Sequence, residues 1–377
     1  MKTFRRLMTA LALLGVAAAY LLVWPVPIQA RSWAPLPSPG YTGVHAVNHR
    51  LAGLQTIDLG DEEGPEHVQI GPDGRLYTTV ASGRVLVMQP DGQQRAVFAE
   101  TGGRVLGFDF DRQGRLVAAD AMRGLLRIEA DGQVRVLADA VDGDPIRYAD
   151  AVVGTRRHDQ PERLFLTDAS TRFGARDWGG TFEASVLDIL EQSSTGRVIG
   201  HDPESGQTWE VARGLSFANG IALSQDERTL YVAETGRYRV WAIPADSRGL
   251  DLSEGPAGGA RVLLDNLPGY PDNLMRGEGA RLWVGLVKPR SALIDDMAGK
   301  PWLRELTLRL PRSWWPIPKP YGHVLAFDES GRVLLDWQDP AGTYPETTAI
   351  TETPDRLYVQ SLHARSLGWL PRPADLP

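Results

Sequence analysis

The 377-residue sequence contains no cysteine. Disulfides, thiolate nucleophiles and zinc-thiolate sites are therefore excluded, and any metal must be held by oxygen or imidazole. A basic run is also missing. Lys and Arg number 40 against 47 Asp and Glu, a formal net charge of −7 that argues against nucleic acid as a partner. The long apolar stretch is confined to the N-terminus, so the remaining 42% hydrophobic content is distributed along the chain and is enough for a substantial core. Forty Gly and 27 Pro suit a protein built of short strands and turns.

What is present is a repeat. The units begin GPEHVQIGPDGRLYTTV, GRVLGFDFDRQGRLVAAD, YADAVVGTRRHDQPERLFLTD, ANGIALSQDERTLYVAE, YPDNLMRGEGARLWVGL and YPETTAITETPDRLYVQS. In each, an acidic or amide residue, or a substitute for one, stands about ten positions before a β-branched or aromatic run that a Gly-Arg or Asp-Arg turn opens. A further hairpin often follows, as in residues 84 to 100 and 197 to 215. Four strands per repeat predict propeller blades, and six starts are counted, near Glu66, Leu106, Asp150, Asn219, Asp272 and Thr347. Residues 47 to 60 alternate apolar and polar ahead of the first unit. They are expected to supply the outer strand of the last blade and close the ring, which removes exposed sheet edges. A β-sandwich is the competing architecture. The length after the N-terminal segment suits two domains, but repeat folds grow by adding units, so residues 31–377 read as one propeller.

The first 30 residues read as a membrane anchor and linker. Lys2, Arg5 and Arg6 precede an apolar stretch from Leu7 to Trp24, which at 1.5 Å rise per residue just spans a hydrocarbon layer of about 30 Å. Pro25 and Pro27 end the helix. The positive-inside rule keeps the N-terminus cytoplasmic and puts the propeller outside. The alternative is a cleaved signal peptide, for which Ile28-Gln29-Ala30 is a poor cleavage site.

From about residue 45 onward the chain resembles the strictosidine synthase-like branch of the six-bladed calcium-dependent phosphotriesterase superfamily, most nearly its anchored adipocyte plasma membrane-associated type. The matches are GPE at 64 to 66, ADAMRGLL at 119 to 126, FLTDAS at 165 to 170, FANGIALS at 217 to 224, YVAET at 231 to 235 and LPGYPDN at 267 to 273. The resemblance implies an all-β six-bladed propeller with one Ca2+ held where inner strands reach the central channel. Carried over residue by residue, the ligands are Glu66, Asp150, Asn219 and Asp272, with Asn273 beside the last. Asp150 stands where relatives usually have Asn; it keeps a hard oxygen donor and adds a charge.

A physical reading agrees with this set. Calcium takes six to eight oxygens, and three carboxylates facing one another without a cation repel in a low-dielectric channel. The plain alternative is that short polar residues at strand entrances bond nearby backbone. That alternative is preferred for Asp120, Asp168 and Glu234, which follow second strands. Among the seven His, only His67 is expected near the site, pointing to the opposite face of its strand from Glu66.

The resemblance implies hydrolysis of lactones or related esters, including arylesterase-type substrates, with calcium polarising a carbonyl and Asp272 as the base that activates water, as in gluconolactonases. A paraoxonase-type histidine base is absent, because Leu106 stands in its place. Strictosidine synthase chemistry is not expected: an ungapped alignment puts Thr348 where those enzymes carry a Glu, and Glu346 would need a register change. The alternative class is a non-catalytic propeller, braced by calcium, that binds a small molecule or a partner. In the fifth repeat, residues 288–320 form an insertion with an amphipathic pattern (Trp302, Leu303, Leu306, Leu310) followed by Trp314-Trp315-Pro316. It is expected to cover the channel mouth or, through residues 302–316, to lie on the bilayer.

Overall fold

The computed structural model describes residues 2–374 and 376. The chain folds as a mostly-β six-bladed propeller preceded by one helix. Blade 1 runs from Val68 to Glu100, blade 2 from Val105 to Ala138, blade 3 from Ala149 to Leu215, blade 4 from Ala218 to Leu264 and blade 5 from Gly269 to Asp339. Blade 6 takes three strands from Thr347–Pro371 and its outermost strand, Gln55–Asp58, from the start of the chain. Gln55–Asp58 pairs antiparallel with Ser366–Pro371, so the ring closes as the alternating pattern at 47 to 60 predicts. Blade 3 gains a short fifth strand, Leu250–Asp251, lent in parallel by blade 4.

The turns explain why the repeat is legible. In Asp111-Arg112-Gln113-Gly114-Arg115 the Asp111 carboxylate accepts the Arg115 backbone N–H at 2.8 Å and its Nε at 2.6 Å, while Gly114 takes φ +77°. Asp328 and Gly331 repeat the device in blade 5. A side-chain acceptor for the turn N–H and a residue free to adopt positive φ are what such a hairpin needs.

Each pair of neighbouring blades shares an apolar layer. Between blades 3 and 4 it holds Val198, Leu215, Val232 and Trp241, and between blades 5 and 6 Trp283, Val324, Ile350 and Val359. A further cluster lies on the face where the innermost strands begin. It is roofed by two helical segments, one within blade 3 and one in the blade 5 insertion. The N-terminal helix is α1 (Lys2–Val23), and α2 (Thr181–Glu191) sits between the second and third strands of blade 3. In the blade 5 insertion, α3 (Ala292–Asp296) and α4 (Pro301–Arg309) are followed by a 3-10 turn at Arg312–Trp314. No side chain of α1 is buried, and its length and hydropathy suffice to cross a membrane. Immediately after it, Ile28 is buried in the roof cluster, and the Gln29 and Arg31 N–H groups donate to Glu191.

Two expectations need correction. The strand reading had no place for α2, whose spacing of Phe182, Val186, Ile189 and Leu190 was visible in the sequence. The insertion is helical, and of the expected stripe Trp302, Leu303, Leu306 and Leu310, Leu303 packs against the roof cluster, while Leu306 and Leu310 are half-buried. Arg304 and Thr307 are buried and Trp302 is exposed, because the Arg304 guanidinium ties the linker to α2 by donating to the carbonyls of Leu190, Ala298 and Arg31.

Candidate functional site on the propeller axis

The innermost strands share one irregularity. Pairing with the second strand slips between Ala149 and Val152, Ala218 and Ile221, Pro271 and Leu274, and Thr347 and Ile350. These bulges fall on Asp150, Asn219, Asp272 and Thr348. A bulge puts two residues opposite one and re-aims a side chain, which is how consecutive blades turn a polar residue toward the axis. Glu66 reaches the same place from the loop before Val68–Ile70.

The outcome is a cavity of about 500 Å³ lined by Glu66, Asp150, Asn219 and Asp272 together with Arg104, Tyr148 and His363. The four expected ligands are only 3 to 5% exposed. Burial raises the Asp150 carboxyl well above its ordinary range, with the charges of Asp272 and Glu66 adding to the rise. Asp272 rises for the same reasons: burial, then Glu66, with the Asn219 amide pulling the other way and Glu346 adding to the rise. Burial pushes Glu66 up to about 7 although Arg104 opposes it; Arg104 Nη2 donates to Glu66 at 2.7 Å. Mutual perturbation of this kind requires the carboxyls to be near neighbours. The Oδ1 of Asn219 is buried with no hydrogen-bond partner among the described residues, an oxygen left available to a cation.

Asn273 is placed differently. It does not line this cavity; its Nδ2 donates to the Glu66 carbonyl at 3.0 Å, as does the Thr348 hydroxyl at 2.8 Å, so both hold the Glu66 backbone from across the channel. The Oδ1 of Asn273 is buried with no hydrogen-bond partner among the described residues.

The acids after the second strands behave as turn braces. Asp120 accepts from the Arg104 and Met122 N–H groups and the Thr101 hydroxyl, Asp168 from the Arg147 and Tyr148 N–H groups and Arg197, and Glu234 from the Ser216 N–H, Arg239 and Trp241. His67 does point away from Glu66 and lines a separate cavity with Phe108 and Asp109. It is not the only histidine nearby, however. His363 lines the axial cavity, and its Nδ1 meets the carboxylate of Glu346, which also pairs with Lys288 Nζ. Burial alone would raise Glu346, but the bonds from His363 and Lys288 outweigh it and hold the carboxyl below its ordinary value; His363 is raised in return. Glu346 has φ +53° and immediately precedes the Thr347/Ile350 slip. Arg104, Lys288, Glu346 and His363 were not marked by the repeat. Arg104 carried a signal, since a cation there answers the acids of the other blades.

A closed ring of six blades whose inner strands deliver acids and amides from distant parts of the chain to one buried cavity defines a propeller with an axial polar site. Residues 43–88 match the family model described as strictosidine synthase-like, N-terminal, and residues 158–243 match strictosidine synthase. Protein STRICTOSIDINE SYNTHASE-LIKE 10 of Arabidopsis thaliana is 29% identical over 342 residues, covering 83% of this chain and 87% of its own. The adipocyte plasma membrane-associated protein of Salmo salar is 28% identical, covering 81% and 74%. Among solved structures, a gluconolactonase from Xanthomonas campestris superposes with TM-score 0.60 at 22% identity, covering 92% of this chain and 99% of that one. The chain is thus similar in sequence to strictosidine synthase-like proteins and shares its six-bladed propeller fold with a gluconolactonase.

Proposed function

We propose that the protein is a membrane-anchored, calcium-dependent hydrolase of lactones or related esters. The observation that carries the reading is the convergence of three buried carboxyls and an unpartnered amide oxygen on one cavity. Similarity to a gluconolactonase structure supports the reaction class, and similarity to an adipocyte plasma membrane-associated protein supports the anchor. Glu66, Asp150, Asn219 and Asp272 would hold the ion through hard oxygens, with Asn273 within one residue of the set. Calcium bound there supplies a Lewis acid for the substrate carbonyl and its developing oxyanion.

The remaining work falls to the chain. Asp272, ionised beside the cation, takes the proton of the attacking water; Arg104 fixes Glu66 and keeps it from rotating away. Helix α2 closes the cavity with Phe182 and Ile189 and limits access of bulk water. His363, held by Glu346, is a proton donor in reach of the cavity for the leaving alkoxide. Helix α1 spans the bilayer with Lys2, Arg5 and Arg6 on the cytoplasmic side and the propeller outside. The test is a panel of lactones and aryl esters offered to the full chain in detergent, with calcium and with chelator. Chelator-sensitive turnover supports the reading; calcium binding without turnover of any substrate replaces it with the non-catalytic binding propeller.

A further inference from the structure

The axial cavity does not end at its polar lining. It joins a second, slot-shaped cavity through Phe182, Ile189, Val287 and Leu362, which line both. From that junction the slot runs between α2 and the blade 5 insertion, past Val186, Tyr270, Trp315 and Ile317. Its charged groups are Lys288 and Glu346, paired with each other, and its other polar side chains are the hydroxyls of Ser185, Thr235, Tyr270 and Thr307. The rest of the wall is hydrocarbon and aromatic carbon. A polyhydroxylated sugar lactone would leave its hydroxyls unpaired there, whereas an alkyl chain would be removed from water at no polar cost.

The position of the slot in the fold agrees. Trp315 lines it, while the adjacent Trp314 is 69% exposed and Trp302 on the same insertion is 61% exposed. This insertion abuts the end of α1: Arg309 Nε donates to the Trp24 carbonyl at 2.6 Å. Exposed tryptophans beside the end of a membrane span sit at the level of lipid headgroups, where lipophilic molecules are concentrated.

We infer that the substrate is a lipophilic lactone or ester, bound with its carbonyl at Glu66 and Asp272 and its alkyl chain in the slot between α2 and the insertion. The inference rests on the hydrolase reading and is tested so that the two fail separately. The full chain in detergent is assayed against one lactone ring carrying alkyl chains of increasing length. Each methylene that enters the slot is expected to raise kcat/KM about fourfold until the slot is filled, the equivalent of ~0.8 kcal/mol per buried CH2. Val186→Trp, which narrows the slot away from the carboxyls, is expected to lower turnover of the long-chain lactone by at least about tenfold relative to the unsubstituted ring. Val186→Ser, which places a hydroxyl in the apolar wall instead of narrowing the slot, is expected to lower turnover of the long-chain lactone in the same direction and is used if the larger residue prevents folding. Hydrolysis that is indifferent to chain length overturns the inference and leaves the hydrolase reading standing. If no lactone is hydrolysed, the hydrolase reading fails and the slot is still decided by binding of the neutral fluorescent probe N-decyl dansylamide. Wild type should bind it and Val186→Trp should bind it at least tenfold more weakly; no difference between them overturns the inference.

Discussion

The three buried acids predict that calcium and protons compete, and that calcium offsets most of the stability that the fold loses as pH rises through Glu66. Glu66 has an ordinary value of 4.5 and is raised to about 7 in the fold. Its folded value lies above its unfolded one, so its contribution is fully present below about pH 4.5 and is lost as pH rises through 7. At 1.36 kcal/mol per unit this amounts to about 3 kcal/mol from Glu66 alone, and Asp150 and Asp272 act in the same direction. In chelator the melting temperature should therefore fall between about pH 5 and about pH 8. Calcium binds the deprotonated set, so its affinity should drop about tenfold from pH 8 to pH 6 through Glu66, and further for every other carboxyl that still holds a proton. A hundredfold excess over Kd restores about 2.7 kcal/mol, nearly the loss due to Glu66. Thermal melts across this pH range, in chelator and in calcium, together with calorimetry in two buffers of different ionisation enthalpy, read both effects. Asp150→Asn should raise the chelator melting temperature at the alkaline end and weaken calcium binding. A melting temperature in chelator that does not depend on pH, with no proton release on adding calcium, would refute the reasoning.

Asp272→Asn should keep part of the calcium response in a thermal melt while turnover falls about 10² to 10⁴-fold, the usual weight of a general base; equal loss of both would remove Asp272 from proton transfer. Asn219→Ala should weaken calcium binding and regain part of its activity in excess calcium. Asp188, fully buried on α2, is pushed from 3.8 up to about 7 by burial; Asp188→Asn should stabilise the protein by up to about 4 kcal/mol at alkaline pH and by nothing near pH 4, measured by urea unfolding at both. Glu352 accepts from Arg281, Trp283 Nε1 and Arg372, with its side chain out of contact with solvent. Glu352→Ala should cost roughly 3 to 5 kcal/mol and lower the melting temperature sharply, because the buried Arg281 guanidinium is left without a carboxylate partner, while Arg372 keeps Glu278. Carbonate extraction should leave the protein in the membrane fraction; a soluble form beginning near Arg31 would convert α1 into a cleaved signal.

The sequence by itself determined the blade count, the closure of the ring by residues 47 to 60 and the apolar helix at the N-terminus, while the family resemblance, laid over the repeat, picked out the four residues that line the axial cavity. All of these depend on short-range signals: period-2 alternation, an Asp-Gly turn whose carboxylate satisfies a backbone N–H, and the same polar position recurring in successive units. Because equivalent positions in equivalent blades occupy equivalent places around one axis, repetition in sequence becomes convergence in space. What the repeat did not contain was left to the tertiary structure. The slips at Asp150, Asn219, Asp272 and Thr348 are properties of how two strands pair, and neither strand states them alone. Glu346, in a left-handed conformation just before such a slip, lines the neighbouring slot and meets His363 of the axial cavity, a contact that only the folded chain makes. Arg104 and His363 become neighbours of Glu66 only when blade 2 and the end of blade 6 close around blade 1. The apolar slot likewise exists only between α2 of blade 3 and the insertion of blade 5, two departures from the repeat that lie more than a hundred residues apart and are brought together by the closed ring.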